Sequence, residues 1–336
     1  LCYSLLVHIS CVDKITGEKE FDILIHPKKK DFKYGGIIWG GIALDDSKGL
    51  LYVVTGNPRK ALIGYNRIGE NKNANSIIAI DLNQKKIVWE FQDVSHDLWD
   101  YDLAHPPIIH DLNYKNKIYP SVISVGKTGN IHIINRYTGN HLFDVNYKQA
   151  PSSNIPGEKT SDFQIFMQKP ERLLEIEKIR EKIIESNSTN KGFLLKKLSE
   201  HDYGWFQPPN FGKKLITLGL HGGASWTGSS INIHDDILFT PINLSSFQTK
   251  IEARTHSEKV KGLNKSFLKL YKNNCSSCHG KFRNGSFKAK KIGEKLINYV
   301  PGLIGHSIFL NSTEYSNFFN YEKIKKKHKG KFINKK

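Results

Sequence analysis

A chain of 336 residues can bury a large core, and its length suits one big domain with a small one beside it. Its 50 Lys and Arg against 32 Asp and Glu give a net charge of +18, which raises nucleic acid or an anionic membrane as partners. The excess is mostly Lys, spread along the chain among many Asn and Ile, so nucleic acid is set aside; an acidic redox partner or a membrane surface is kept. Of four cysteines, two sit in Cys275-Ser276-Ser277-Cys278-His279, which leaves Cys2 and Cys11 as possible disulfide partners at a spacing that makes no framework. No signal peptide and no apolar run long enough for a bilayer is present. The chain opens on Leu1 in strand-like sequence, so it is expected to be an internal or truncated piece with its targeting segment upstream.

In chain order, Val7 to Asp13, a turn at Thr16-Gly17 and then Phe21 read as strand, turn and strand. The same pattern of apolar residues, an Asx, a turn and an aromatic recurs at Ser76 to Trp89 and at Ile131 to Phe143. Hairpins of a second kind alternate with it, at Ile42 to Val54 and at Ser229 to Thr240. Two hairpins make a four-stranded blade, and the spacing predicts three to four blades before residue 250, with Trp89 and Phe143 buried between sheets. From Pro170 the texture changes: Leu173, Leu174, Ile176, Ile179, Ile183 and Ile184 are spaced as a helical stripe that the Ser186 to Asn190 run breaks. The blade pattern returns at Gly204 to Pro209 and Leu220 to Trp226, and the chain turns helical and Lys-rich after Thr249.

The densest chemistry lies in Ser95-His96-Asp97-Leu98-Trp99-Asp100-Tyr101-Asp102-Leu103-Ala104-His105-Pro106-Pro107, directly after a strand-like run. On residue types alone it is an Asx-rich turn around a structural tryptophan. Gly35-Gly36-Ile37-Ile38-Trp39-Gly40-Gly41 offers either a core indole or the floor of a flat ligand. Thr55-Gly56-Asn57-Pro58 is an Asn-Pro turn or an amide-oxygen donor for a hard cation. Lys127 is a turn lysine or a charge aimed at a site. Cys275 to His279 is a haem-attachment motif, the other reading being half a zinc site with no second Cys pair to complete it.

Together these residues resemble the quinoprotein dehydrogenases, which carry pyrroloquinoline quinone (PQQ), and in particular their glucose/quinate-type members. The resemblance rests on His-Asp-Leu-Trp-Asp followed by Asp-Leu and prolines, with Trp39, Asn57 and Asp100 in the family's order. It implies an all-β fold, the later half of an eight-bladed propeller over residues 1–250 with a helical excursion at about 165–205. A small α-helical, incomplete cytochrome c-like domain follows over 260–336. It further implies that Asp100 is the catalytic base, Trp39 stacks beneath the quinone, and Lys127 bonds its oxygens. Asn57 and Asp100 are the implied ligands of Ca²⁺ or another divalent or lanthanide ion, with Asp102 either a further ligand or a support behind them. Trp226, in a late-blade motif Gly222-Gly223-Ala224-Ser225-Trp226, is implied to face the cofactor cavity.

Cys275 and Cys278 would attach haem c, with His279 as iron ligand. The distal methionine expected of such a domain has no match: Met167 lies far upstream, Lys329 to Phe332 holds none, and His306 and His328 are the alternatives. The implied function is oxidation of a sugar, polyol or alcohol hydroxyl by hydride transfer to the quinone, with electrons leaving through the haem to a downstream cytochrome or quinone. The implied compartment is the periplasm. A non-catalytic propeller scaffold and an inactive truncated product are the competing readings.

Overall fold

The structure, a computed structural model, describes residues 2–5, 8–26, 36–59, 61–65, 67–155, 157–218, 222–224, 227–251, 265–279, 290–292 and 295–297. The chain divides into two compact units, Leu1–Glu252 and Ala253–Lys336. In the first unit, β1 (Cys2–Leu5), β2 (His8–Val12) and β3 (Lys19–Leu24) form an antiparallel sheet. A four-stranded antiparallel sheet follows, made of β4 (Ile42–Asp45), β5 (Leu50–Val54), β6 (Ser76–Asp81) and β7 (Lys86–Gln92). The third sheet contains β8 (Ile108–Tyr114), β9 (Lys117–Val125) and β10 (Ile131–Asn135).

Shorter pieces complete the unit. β11 (Tyr147–Gln149) pairs with β12 (Phe163–Ile165), and β13 (His201–Asp202) runs parallel to β14 (Lys214–Thr217). β15 (Ser230–Asn232) and β16 (Ile237–Phe239) form a hairpin, and β17 (Phe247–Lys250) returns to pair with β14.

The period of two in the central strands explains how the sheets stack. Leu51, Val53, Ile78 and Ile80 point one way and pack with Ile9, Ile23 and Ile25 of the first sheet. Their neighbours Tyr52, Val54, Ile77 and Ala79 point the other way and pack with Leu103, Val122 and Ile134. Beyond them Ile123, Val125 and Ile131 meet Ile231 and Leu238 of the β15–β16 hairpin. Strands covered on both faces therefore read as near-continuous β-branched runs. Each fully buried Ile or Val adds roughly 1.5–3 kcal/mol of transfer free energy. Tyr52 Oη and Trp89 Nε1 both donate to the Arg136 carbonyl, each at 3.0 Å, and so tie the second sheet to the third.

Several expectations are corrected here. Among the described residues only the second sheet has four strands; after β10 the chain makes an isolated bridge, Ile134 to His141, and Phe143 stands outside any strand. Trp89 and Phe143 are half-buried, because Trp89 also lies against Gly139 at the sheet edge and Phe143 packs edge-on against Tyr114. The helical stripe is split. Leu174 and Ile176 are buried beside Trp205 and Phe206, while the helix itself spans only Ile179–Glu185 and leaves Ile184 exposed. A second helix, Lys191–Ser199, follows the Ser186–Asn190 break. Cys11 is disulfide-bonded, and Cys2 stands opposite it in the strand register.

The core also buries titratable groups. His141 packs on Phe91 with ring centroids 4.2 Å apart and on His132 at 5.4 Å. Burial, reinforced by His132, pushes the His141 pKa down to about 3, and burial pushes that of His105 down to about 4. Both lie below the value of about 6.5 of an unfolded histidine, so the unfolded chain binds the extra protons. The stability they confer is complete above that value and is lost as the pH falls toward the folded values. His141→Phe should therefore flatten the acid side of the melting-temperature profile; an unchanged slope would show that His141 does not couple to folding.

Candidate active site

Because β6 runs antiparallel to both, β5 and β7 point the same way and end at one edge of their sheet. Asn57 follows β5, the Asp97–Asp102 loop follows β7, and Lys127 follows β9. The topology thus delivers residues far apart in sequence to one place.

They meet there directly. The Lys127 ammonium lies 2.6 Å from Asp102 Oδ2 and 3.2 Å from Asp100 Oδ2, and it also donates to the Asp100 carbonyl at 3.0 Å. Asn57 Nδ2 donates to Asp100 Oδ1 at 2.6 Å, and its backbone N–H donates to Asp102 Oδ1 at 2.7 Å. A further backbone bond, Lys127 N to Asp102 O at 3.0 Å, fixes the two segments together. Burial would lower the Lys127 pKa, but the charges of Asp102 and Asp100 outweigh it and hold the ammonium above its ordinary range. The Asp100 side chain stays 18 % exposed, whereas those of Asp102 and Lys127 are buried.

The loop carries its own support. Asp97 Oδ1 accepts the Trp99 N–H at 2.7 Å, and Oδ2 accepts the Tyr101 N–H at 2.8 Å and Asn75 Nδ2 at 3.0 Å. These bonds bracket Asp100, whose φ of 66° is unusual for a non-glycine residue. Burial raises the Asp97 pKa to about 6, and the nearby charges of Asp100 and Asp102 add to the shift.

Sequence reasoning gives His96 and Asp97 the task of orienting the loop but missed two outer supports, Arg67 and Glu158. Arg67, buried, donates to the Asp97 carbonyl and to Asn71 Oδ1. His96 Nδ1 faces the Gly69 carbonyl at 2.7 Å and Nε2 faces Glu158 Oε1 at 2.9 Å, while Glu158 Oε2 accepts the Gly64 N–H at 2.5 Å. Arg67 and Glu158 lie in loops with no motif of their own, and His96 carries the single signal of adjacency to Asp97.

Trp39 is 40 % exposed at the rim of this cluster. A Cβ on Gly56 would stand 2.4 Å from Trp39 Nε1 and 2.5 Å from Asp102 Oδ1, so only glycine lets indole and carboxylate approach. A Cβ on Gly40 would stand 2.0 Å from the Ala104 carbonyl oxygen, which shows the Trp39 segment lying flat on the loop. Gly223 lies against the Lys127 carbonyl, bringing the late Gly-Gly motif to the back of the same turn; Trp226 falls outside the described residues.

In the second unit, a helix over Lys265–Asn274 leads into a short one over Ser276–His279, on which Cys278 falls. Cys275 N donates to the Tyr271 carbonyl and His279 N to the Cys275 carbonyl, each at 2.9 Å, so Cys275 and His279 are one helical turn apart. His306, His328 and the 329–332 segment lie outside the described residues.

Among the described residues no three His, Cys, Asp or Glu side chains form a metal cage, so a cation here depends on the Asn57 amide as well as on Asp100 and Asp102. With the Asn57 amide turned to present Oδ1 in place of Nδ2, that donor set is all oxygen, which suits a hard cation. An exposed indole edging a glycine that no Cβ could replace is likewise suited to a flat ring system, so the residues fit both groups. Gly56→Ala should displace Trp39 and shift its fluorescence without unfolding the chain; an unchanged emission spectrum would show that the close approach does not hold the indole.

Residues 16–284 match the family model described as PQQ glucose/ethanol/alcohol dehydrogenase, β-propeller domain. The chain is 28% identical over 229 residues to a glycerol dehydrogenase large subunit of Gluconobacter thailandicus, covering 66% of this chain and 31% of that protein. It is 26% identical over 215 residues to quinoprotein glucose dehydrogenase A of Acinetobacter calcoaceticus, covering 61% and 27%. Among solved structures, quinohemoprotein alcohol dehydrogenase from Comamonas testosteroni superposes with a TM-score of 0.46 at 18% identity, covering 71% of this chain and 34% of the other. The chain thus spans under a third of the length of these two curated relatives. By the extent of the family match, the chain belongs to the PQQ-dependent glucose/ethanol/alcohol dehydrogenase β-propeller family.

Proposed function

We propose that this chain carries the catalytic centre of a PQQ-dependent dehydrogenase that oxidises a sugar, polyol or alcohol hydroxyl. The observation that carries the reading is the meeting of Asn57, Asp100, Asp102 and Lys127, from three separate strand ends, beside the exposed Trp39. Trp39 would stack beneath the quinone, Lys127 would hydrogen-bond its oxygens, and Asn57 and Asp100, with Asp102, would hold Ca²⁺ or a similar ion. When bound, the quinone supplies the two-electron acceptor and the ion polarises it as a Lewis acid.

The chain's own residues handle the proton. Asp100 receives the hydroxyl proton on a carboxylate oxygen. Asn57 donates to its Oδ1 and Lys127 to its Oδ2, so the carboxylate that acts as base is held in one orientation. Asp102 keeps Lys127 charged, so the ammonium is available to stabilise negative charge as the acceptor is reduced. Partial burial of Asp100 keeps bulk water from competing for these bonds. Trp226 is assigned to the cavity wall by the motif it shares with Gly223.

In the second unit Cys275 and Cys278 would attach haem c, with His279 as iron ligand; the one-turn spacing of Cys275 and His279 fits that role. The haem would pass electrons singly to a downstream cytochrome or quinone. The Cys11 disulfide supports a periplasmic setting, where thiols oxidise and such acceptors are at hand.

Asp100→Asn should retain PQQ binding, followed by its absorbance, while turnover falls by roughly 10²–10⁴-fold, the usual contribution of a general base. Asn57→Ala should raise the metal concentration needed for half activity. Turnover by Asp100→Asn at the wild-type rate would show that Asp100 is not the base, and absence of turnover by the wild-type chain supplied with PQQ and Ca²⁺ would favour a scaffold propeller instead. Expressed with haem c maturation, the chain should show a reduced α-band that survives denaturation, and Cys278→Ser should abolish two-bond attachment. Zinc bound in place of haem would show that the motif is a metal half-site.

A further inference from the structure

Lys127 owes its aim to the turn Gly126–Gly129, and two buried groups of opposite charge hold that turn from different sides. Asp93, fully buried, accepts Thr128 Oγ1 at 3.2 Å, Asn130 Nδ2 at 2.7 Å and His132 Nε2 at 3.0 Å. Arg172, 9 % exposed, donates from Nη2 to the Thr128 carbonyl at 2.7 Å. The next residue adds a second bond to the same turn, Leu173 N to the Gly129 carbonyl at 3.1 Å.

The placing of Arg172 is costly. Its guanidinium carbon lies 4.0 Å from the Phe166 ring centroid and 4.2 Å from that of Trp205, between the two aromatic side chains. Nε and Nη1 are buried and meet no acceptor, and among the described residues no salt bridge involves Arg172. Burial pushes its pKa down to about 10. An apolar side chain could fill the space between the rings without stranding two polar nitrogens. What arginine alone adds is a rigid planar donor, fixed by stacking and directed at one carbonyl.

We propose that Arg172 is a positioning residue for the active site, clamping the Thr128 carbonyl so that the turn holds Lys127 against Asp100 and Asp102. The inference rests on the reading of Lys127 as a site residue, and it extends the site to the helical excursion, which lies outside every blade. With the clamp in place the ammonium has one position between two carboxylates. Without it, the turn keeps its bonds to Asp93, to the Leu173 N–H and to the Asp102 carbonyl, but the Thr128 peptide is no longer fixed and the Lys127 side chain gains freedom to leave the carboxylates.

The test is acetic anhydride labelling of the full chain, with each lysine quantified by mass spectrometry and exposed Lys86 as reference. No quinone is added, so the result is independent of whether PQQ binds or turnover occurs. In Arg172→Met the ratio of Lys127 to Lys86 labelling should rise about tenfold, the factor that one lost charge-assisted hydrogen bond allows. Phe166→Leu, which frees one face of the guanidinium, should raise it about threefold. A merely structural role for Arg172 would lower the melting temperature and leave the ratio at its wild-type value. That outcome in folded Arg172→Met overturns the proposal; if that variant does not fold, the same outcome in Phe166→Leu does so.

Discussion

Everything about the site depends on one lysine ammonium placed between two carboxylates. Asp97, Asp100 and Asp102 come within six residues, on a loop that the fold largely buries. Like charges so close, removed from water, would drive the loop open or protonate it. Lys127 answers two of the three, and it arrives from the next sheet, so the loop cannot settle until β9 has packed beside β5 and β6. The third carboxylate is answered differently. Asp97 takes backbone N–H groups and the Asn75 amide, and burial raises its pKa to about 6. Its raised value favours the folded state most below the unfolded carboxylate pKa, and that advantage fades as the pH climbs through about 6. The buried histidines of the core act with the opposite sign, so the fold is squeezed from both directions.

The backbone of the loop shows the same economy. Positive φ at His96 and at Asp100 is unfavourable for residues with a Cβ, at a cost of roughly 1–3 kcal/mol each. Asp97 stands between them and binds the N–H groups on either side of Asp100. Its side chain therefore does for Asp100 what a glycine would do elsewhere: it makes a sharp turn tolerable while keeping a carboxylate at the apex. His96 is pinned in turn by Gly69 and Glu158, which brings two long loops onto the same few residues.

Much of this was legible in the sequence, for reasons that particular residues make plain. The runs Leu50–Val54 and Ser76–Asp81 are strands covered on both faces, and the Asx-turn-aromatic pattern located their ends. Asn57, Asp100 and Lys127 stand just beyond strand ends, where sequence position and spatial position are tightly linked. The helical stripe held for Ile179, Ile183 and Ile184 and failed upstream, because Leu174 and Ile176 are buried by Trp205 and Phe206, partners about thirty residues later, and spacing cannot distinguish that from a helix face. Arg67, Glu158 and Arg172 were invisible for a related reason. Each supports the site through a contact with a distant segment, and nothing in a residue's own neighbourhood announces such a contact.

The division between visible and invisible residues follows from topology. Strand alternation brings the ends of β5 and β7 to one edge of a sheet, and the β8–β9 hairpin returns the chain so that β9 also ends beside the Asp97–Asp102 loop. Chemistry placed just past those ends meets automatically, whatever the connections elsewhere do. The supports must instead come from the long connections, because the edge itself is filled by Asn57, Lys127 and the Asp97–Asp102 loop. Hence the loop between β5 and β6 supplies Arg67, the stretch between β11 and β12 supplies Glu158, and the excursion before β13 supplies Arg172. Those connections can vary in length and still hold the site, provided each delivers one well-directed donor or acceptor to it. The sheet ends fix where the chemistry is; the connecting segments fix how tightly it is aimed.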